Sequence, residues 1–233
     1  MKTRLKKLTA FLTAAAILLT FSCSASAAEP TEEIQETVSE ETVIPESGGE
    51  DEIVATVSVC SCIYVFPISG HTWIYVENLS DKVQRVGLYD LPVGQGVSIG
   101  SFSFSVSDGF GIYYNLEAYR ENRDNNSANH WSITKELTQK ELDSLSKSIA
   151  GYVNYWGFYF NCAFFAFSIW NSVSGDFLVP LVIPAISQLE VIIDGGKKGV
   201  LEMYQPTEDQ IFRQRGSGSS AYLEPISANT LNR

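Results

Sequence analysis

Between Val54 and Leu137 the chain spells one strand after another, and at Thr138 the apolar period changes to that of a helix. That switch decides the fold class. Val54 to Phe66 is rich in Val, Ile, Tyr and Phe and reads as a strand buried on both faces. Pro67 to Gly70 turns, His71 to Asn78 returns, and Leu79 to Lys82 turns again. Val83–Tyr89, Val97–Val106, Phe110–Tyr119 and His130–Leu137 read as further strands. Arg120–Asn129 is expected to be a polar loop with no core residue. Short connections of this kind make antiparallel pairs.

Helices follow. Thr138-Gln139-Lys140-Glu141 is a capping box, after which Leu142, Leu145, Ile149 and Tyr152 fall on one face. A second helix starts near Asn161. There Cys162, Phe165, Ala166, Ile169, Trp170 and Val173 recur with helical spacing, and Ala163, Phe164 and Phe167 make the other side apolar too. Such a helix belongs in a core. Gly175 ends it, a short helix is expected over Ala185–Ile193, and the Gly- and Ser-rich end from Gly195 reads as partly loose. The expected fold is α+β, an antiparallel sheet of about five or six strands packed on a buried, cysteine-bearing helix.

The start of the chain is of another kind. Met1 to Ala28 reads as a secretory signal peptide: Lys2, Arg4, Lys6 and Lys7 precede an apolar run from Leu8 to Phe21, and Ala25-Ser26-Ala27 offers a cleavage site. The run is short for a membrane span. Cys23 follows Thr20-Phe21-Ser22, and the bulky Phe makes a poor lipidation site. The expected protein is secreted, extracellular or cell-wall associated, and meets the membrane only through this segment. Loss of the signal's four positive charges takes the net charge from −11 to −15. Residues 29–52 hold ten acidic side chains and no basic one, which predicts a disordered, self-repelling linker. The domain proper is then 53–233. An acidic chain of this kind is a poor partner for nucleic acid. The only histidines are His71 and His130. With no His/Cys cluster at ligand spacing, neither a metal nor another cofactor is expected. Gly94, Gly96 and Gly100 lack the spacing and the following helix of a phosphate loop.

The chemistry centres on a cysteine and a histidine. Cys60, Cys62 and Cys162 remain after the signal. An odd number outside the cell implies at least one free thiol or an intermolecular bridge. Cys60 and Cys62 share a strand face, are poorly placed to bridge each other, and read as small buried apolar side chains. Cys162 sits in the first turn of the second helix with Asn161 as cap. The positive helix end favours its thiolate, and a histidine within reach would complete the ingredients of covalent acyl transfer. The competing reading is an inert packed thiol. His71 opens its strand after Ser69-Gly70 and shares a face with Trp73, Tyr75 and Glu77. It is preferred over His130, which lies beside the polar loop.

Gly70-His71-Thr72-Trp73-Ile74-Tyr75-Val76-Glu77-Asn78, followed by Asn161-Cys162-Ala163-Phe164-Phe165-Ala166 and Trp170-Asn171, resembles the circularly permuted branch of the papain-like NlpC superfamily. In that branch the histidine strand precedes the cysteine helix. The resemblance covers roughly Val54 to Val173 and implies a permuted papain-like fold. It implies Cys162 as nucleophile and His71 as general base and then acid, with the Cys162 N–H helping to hold an oxyanion. It also implies a third polar residue that orients the imidazole; in the lecithin–retinol acyltransferase-like relatives this is a second histidine. The expected window, Val83 to Asp90, offers only Gln84, Tyr89 and Asp90, and the Phe110–Tyr119 strand offers Asn115 and Glu117. Asn115 is preferred, because a neutral amide orients an imidazole without forcing its charge.

The function implied is a secreted cysteine hydrolase of amide bonds, a thiol peptidase or amidase acting on a peptide or peptidoglycan substrate. The charge of −15 counts against a close approach to an anionic wall. Two alternatives stand beside it. One is a lipid acyltransferase or hydrolase on the same fold, with Phe164, Phe165 and Phe167 along an acyl channel. The other is a non-catalytic secreted binding module, to be recognised by a His71 out of reach of Cys162.

Overall fold

The computed structural model describes residues 52–65, 69–102, 111–123, 130–152, 161–179 and 184–226. The expected signal peptide and all but the last residue of the acidic linker lie outside them. So do residues 103–106 of an expected strand, most of the expected polar loop (124–129) and the chain end, 227–233.

Helices and an antiparallel sheet make an α+β architecture. Three neighbouring strands form its middle. β1 (Ile53–Val65) pairs on one side with β2 (Ser69–Asn78) and on the other with β7 (Trp131–Thr138). Beyond β2 come β5 (Gly96–Phe102) and β6 (Gly111–Tyr114), and beyond β7 lies β8 (Lys197–Lys198). The sheet is larger than expected because the end of the chain joins it. β9 (Phe212–Arg215) pairs with β6, and β10 (Tyr222–Pro225) pairs with β9, giving eight strands. The partly loose reading of residues from Gly195 onward is corrected to this extent. β9 and β10 are held by backbone pairing with a distant strand, which local composition does not reveal.

The strand expected over Val83–Tyr89 is a hairpin instead, β3 (Gln84–Val86) and β4 (Tyr89–Leu91), forming a separate small sheet. Gly87, at φ +60°, starts the two-residue turn between them. A positive φ at that position suits the right-handed twist of a hairpin. The strand expected to run to Tyr119 also stops early, at Tyr114, where α1 (Leu116–Arg123) follows. Asn115 is the joint, with φ +67°. Its carbonyl accepts the N–H of Tyr119 and so opens the helix. The expected polar loop therefore begins as helix.

The later helices follow the sequence closely. α2 (Gln139–Gly151) starts at the capping box: the Glu141 N–H donates to Thr138 Oγ1 at 3.4 Å, and the Thr138 N–H donates to Glu141 Oε2 at 3.0 Å. α3 (Cys162–Asn171) buries Ala163, Phe165, Ala166, Phe167, Ile169 and Trp170. α4 spans Pro184–Ile193. The main core lies between these helices and one sheet face, where Val57 and Val59 of β1, Ile74 and Val76 of β2 and Ile99 of β5 meet Leu142, Phe165 and Val191. Emptying a fully buried position such as Phe165 to Ala costs about 3–5 kcal/mol. The alternate residues of β1 and β2 form a second cluster, Cys60, Cys62, Trp73 and Tyr75, against Leu201 and Met203. Strand alternation thus puts His71, Trp73 and Tyr75 together, as their spacing predicts.

Candidate active site

β2 and β5 pair from Glu77↔Gly96 to Ile74↔Ile99 and not beyond, although both strands continue. The ladder opens at the end of β2 that carries His71 and Thr72. α3, which packs on β2 and β5, brings the thiol of Cys162 here. Asn161 caps that helix, its Oδ1 accepting the N–H groups of Ala163 and Phe164 at 3.1 Å each. The cap residue therefore fixes where the helix begins and where the thiol stands.

Cys162 is half-buried, and its thiol lies near enough to the His71 ring for each to shift the other's protonation. Burial by itself would push its pKa up. The His71 charge, the hydrogen bond with that ring, and the backbone N–H groups of Thr72 and Ala163 outweigh burial and pull it below the usual thiol value. The Thr72 N–H is supplied at the opened ladder, and the Ala163 N–H at the helix start. His71 behaves reciprocally. Burial would lower its pKa, but the Cys162 charge, the Cys162 hydrogen bond and the Glu117 carboxyl raise it to about 9. Both shifts favour the same state, a thiolate beside an imidazolium.

The other side of the ring is held by Glu117. His71 Nε2–H donates to Glu117 Oε1 at 3.2 Å, which leaves the Nδ1 side for the thiol. Both groups are buried. Ser98 of β5 supports the carboxylate: its hydroxyl donates to Glu117 Oε2 at 3.1 Å and accepts the Ala118 N–H at 3.1 Å. Glu117 lies in the first turn of α1, where the helix dipole favours a negative charge. Gly100 makes the approach possible. A Cβ on Gly100 would lie 1.6 Å from Glu117 Oε1 and 3.0 Å from His71 Nε2. The carboxylate passes directly over the β5 backbone, and only glycine leaves that space. Phe102 packs on the open side of the imidazole, ring centres 4.3 Å apart.

The structure thus brings together Cys162 and His71. Asn115, the preferred orienting residue, is corrected: its side-chain N–H donates to the Gln210 carbonyl at 3.0 Å, and Glu117 holds the ring. The reason is the break at Asn115, which turns strand into helix and carries Glu117 beneath His71. The other candidates stand elsewhere. Gln84 exchanges amide hydrogen bonds with Gln139, Tyr89 packs in the main core, and Asp90 pairs with Arg85 on the surface. The rival base, His130, is fully buried and pairs with Glu121 at 3.1 Å. Phe165 and Phe167 are core residues with no exposed surface, so packing accounts for them. Sequence reasoning missed Ser98 altogether and weighed Gly100 only as a phosphate-loop glycine. No group of three or more His, Cys, Asp or Glu side chains among the described residues is arranged to hold a metal. Compared with models of known protein families, with curated proteins and with solved structures, the chain matches none.

Proposed function

We propose that the protein is a secreted cysteine hydrolase of amide bonds, with peptides of the cell wall as the substrate class and a permuted papain-like arrangement as its fold. The observation that carries this reading is the imidazole of His71, set beside the Cys162 thiol and hydrogen-bonded to Glu117. A nucleophile, a base and a group that orients the base are then neighbours in that order.

In this reading the Cys162 thiolate attacks the amide carbonyl carbon. The Cys162 N–H at the start of α3 faces the developing oxyanion. His71 gives its proton to the departing nitrogen as the C–N bond breaks, leaving a thioester on Cys162. His71 then takes a proton from water, the hydroxide attacks the thioester, and the acid leaves while the thiol is restored. Glu117 keeps the ring in place and stabilises its charged form throughout.

The test is alkylation of the purified protein by iodoacetamide across pH, with the labelled residue located by mass spectrometry. Rapid labelling of Cys162 at pH 6, lost in His71→Ala, is the expected result. Labelling that begins only above about pH 8.5, as for an ordinary thiol, and that ignores His71 would sink the reading. Hydrolysis of peptidoglycan-derived peptides, followed by release of new amino groups, then tests the substrate class.

A further inference from the structure

Glu117 reaches His71 from a helix of eight residues, and a helix that short is placed by its tertiary contacts rather than by its own stability. The first turn of α1 is fixed at the Asn115 corner, whose N–H donates to the Ser98 carbonyl at 2.7 Å. The bonds of Glu117 to His71 and Ser98 hold the same turn. The second turn carries Glu121, four residues on from Glu117 and therefore on the same face. There the His130 Nδ1–H donates to Glu121 Oε1 at 3.1 Å.

His130 is a firm point of attachment. Its side chain is fully buried. Its carbonyl accepts the Gly199 N–H at 3.0 Å, just before β7 enters the sheet between β1 and β8. Trp73 meets the ring edge-on, 5.5 Å between centres, and the same indole lies nearly parallel to His71 at 5.6 Å. The Nε2 of His130 is buried with no hydrogen-bond partner among the described residues. An apolar side chain would pack there without that cost. What the histidine provides, and an apolar residue would not, is the bond to α1.

We propose that His130 and Glu121 are positioning residues of the thiol site: they anchor the second turn of α1 and so hold Glu117 against His71. Their part in catalysis rests on the Cys162–His71 hydrolase reading. Two observations favour action through Glu117. The side chains that raise the His71 pKa are Cys162 and Glu117, while Glu121 bonds to the other histidine. The place of the Glu117 carboxylate is also narrow. It passes so close over β5 that a Cβ on Gly100 would collide with it, and its 3.2 Å bond to His71 is at the long end of the usual range. A small tilt of α1 therefore takes the carboxylate off the ring.

The test reads His71 directly. The chain holds two histidines, so each imidazole of the purified protein can be followed by NMR across pH, beside iodoacetamide labelling of Cys162. Glu121→Ala removes the acceptor. His130→Leu fills the space and removes the donor, and it carries the test should Glu121→Ala fail to fold. In each, the His71 midpoint should fall from about 9 toward its usual 6.5. Cys162 labelling near pH 8 should fall about threefold, part of the loss expected when Glu117 itself is removed. Glu121→Gln keeps an acceptor and should leave both readouts near those of the unmodified protein. In a Glu117→Gln background, Glu121→Ala should add nothing, because the group it positions is gone. An unmoved His71 midpoint in the first two variants overturns the proposal even if their urea midpoints fall, since a merely structural bond would do that much. Additive shifts in the double variant overturn it too, as does a Glu121→Gln midpoint as low as that of Glu121→Ala. Fast labelling of unmodified Cys162 at pH 6 with an unmoved His71 midpoint in the variants defeats this inference alone. Slow labelling with a midpoint that moves as described supports the anchor and defeats the hydrolase reading.

Discussion

Cys62 and Cys162 both lie next to His71, and their thiols are pushed in opposite directions. Cys62 stands directly across from His71 in the β1–β2 register and is 5% exposed. Burial raises its pKa to about 11, against hydrogen bonds from Tyr64 and the His71 backbone. The charges of Glu121 and Cys162 contribute smaller shares of that rise. Cys162 meets burial too, yet its pKa falls, because the His71 ring and two backbone N–H groups face it. Proximity to a histidine is therefore not enough. The strand cysteine meets the backbone of His71, while the helix cysteine meets its ring. The geometry of approach, set by the opened β2–β5 ladder and the capped start of α3, separates a thiol held protonated from one drawn toward its thiolate.

Removing the ring should erase that difference, and this is the largest effect. In His71→Ala, alkylation of Cys162 at pH 6 should fall by about 10²-fold, the thiolate fraction lost when the pKa returns to the ordinary range. Cys62 should stay unlabelled at pH 6 in both proteins. Equal labelling of the two thiols in the unmodified protein would remove the distinction.

Glu117→Gln sharpens the comparison from the other side of the ring. It removes a group that holds His71 in its charged form, so labelling near pH 8 should fall about tenfold. The same change has a signature in stability. The folded pKa of His71 lies above its usual value of 6.5, at about 9. Its contribution is full below 6.5 and is lost as pH rises through 9. Urea midpoints measured at pH 6 and pH 9.5 should differ more in the unmodified protein than in Glu117→Gln. An unchanged difference would remove Glu117 from the role. Gly100→Ala should reproduce part of this, a several-fold loss of labelling, because the added Cβ displaces the carboxylate from His71. Normal labelling there would mean that Glu117 reaches the ring by another path.

The two halves of the site were not equally legible. Cys162, its Asn161 cap and the apolar pattern of α3 are local features, written within one or two turns of chain. His71 and its face-sharing neighbours follow from strand alternation. Glu117 did not stand out, because Phe110 to Tyr119 is rich in aromatic residues and reads as one strand. The signal was present: Asn115 is a helix-capping residue type, Glu117 follows in the first turn, and Arg120 and Arg123 sit near the end. Gly100 and Ser98 carry no such signal. Their roles exist only once α1 has packed on β5, which is a tertiary event. β9 and β10 escape for the same reason, being stabilised by a strand some hundred residues earlier.

The smallest effect expected on the thiol belongs to Asn115, and it tests the division of labour between joint and site. At φ +67° the residue occupies a region that glycine enters freely and most side chains do not. Asn115→Gly should therefore keep the turn from β6 into α1, lose the hydrogen bond to Gln210, and leave Cys162 labelling within about twofold, since nothing moves Glu117. Asn115→Ala keeps a Cβ and adds strain, so it should cost about 1–2 kcal/mol in urea unfolding. Its labelling should change only as far as the start of α1 shifts. A large loss of labelling in Asn115→Gly, with stability intact, would return Asn115 to the imidazole and displace Glu117. A loss of stability without a loss of labelling keeps Asn115 at the corner of the chain, where its value lies in turning a strand into the helix that carries the acid.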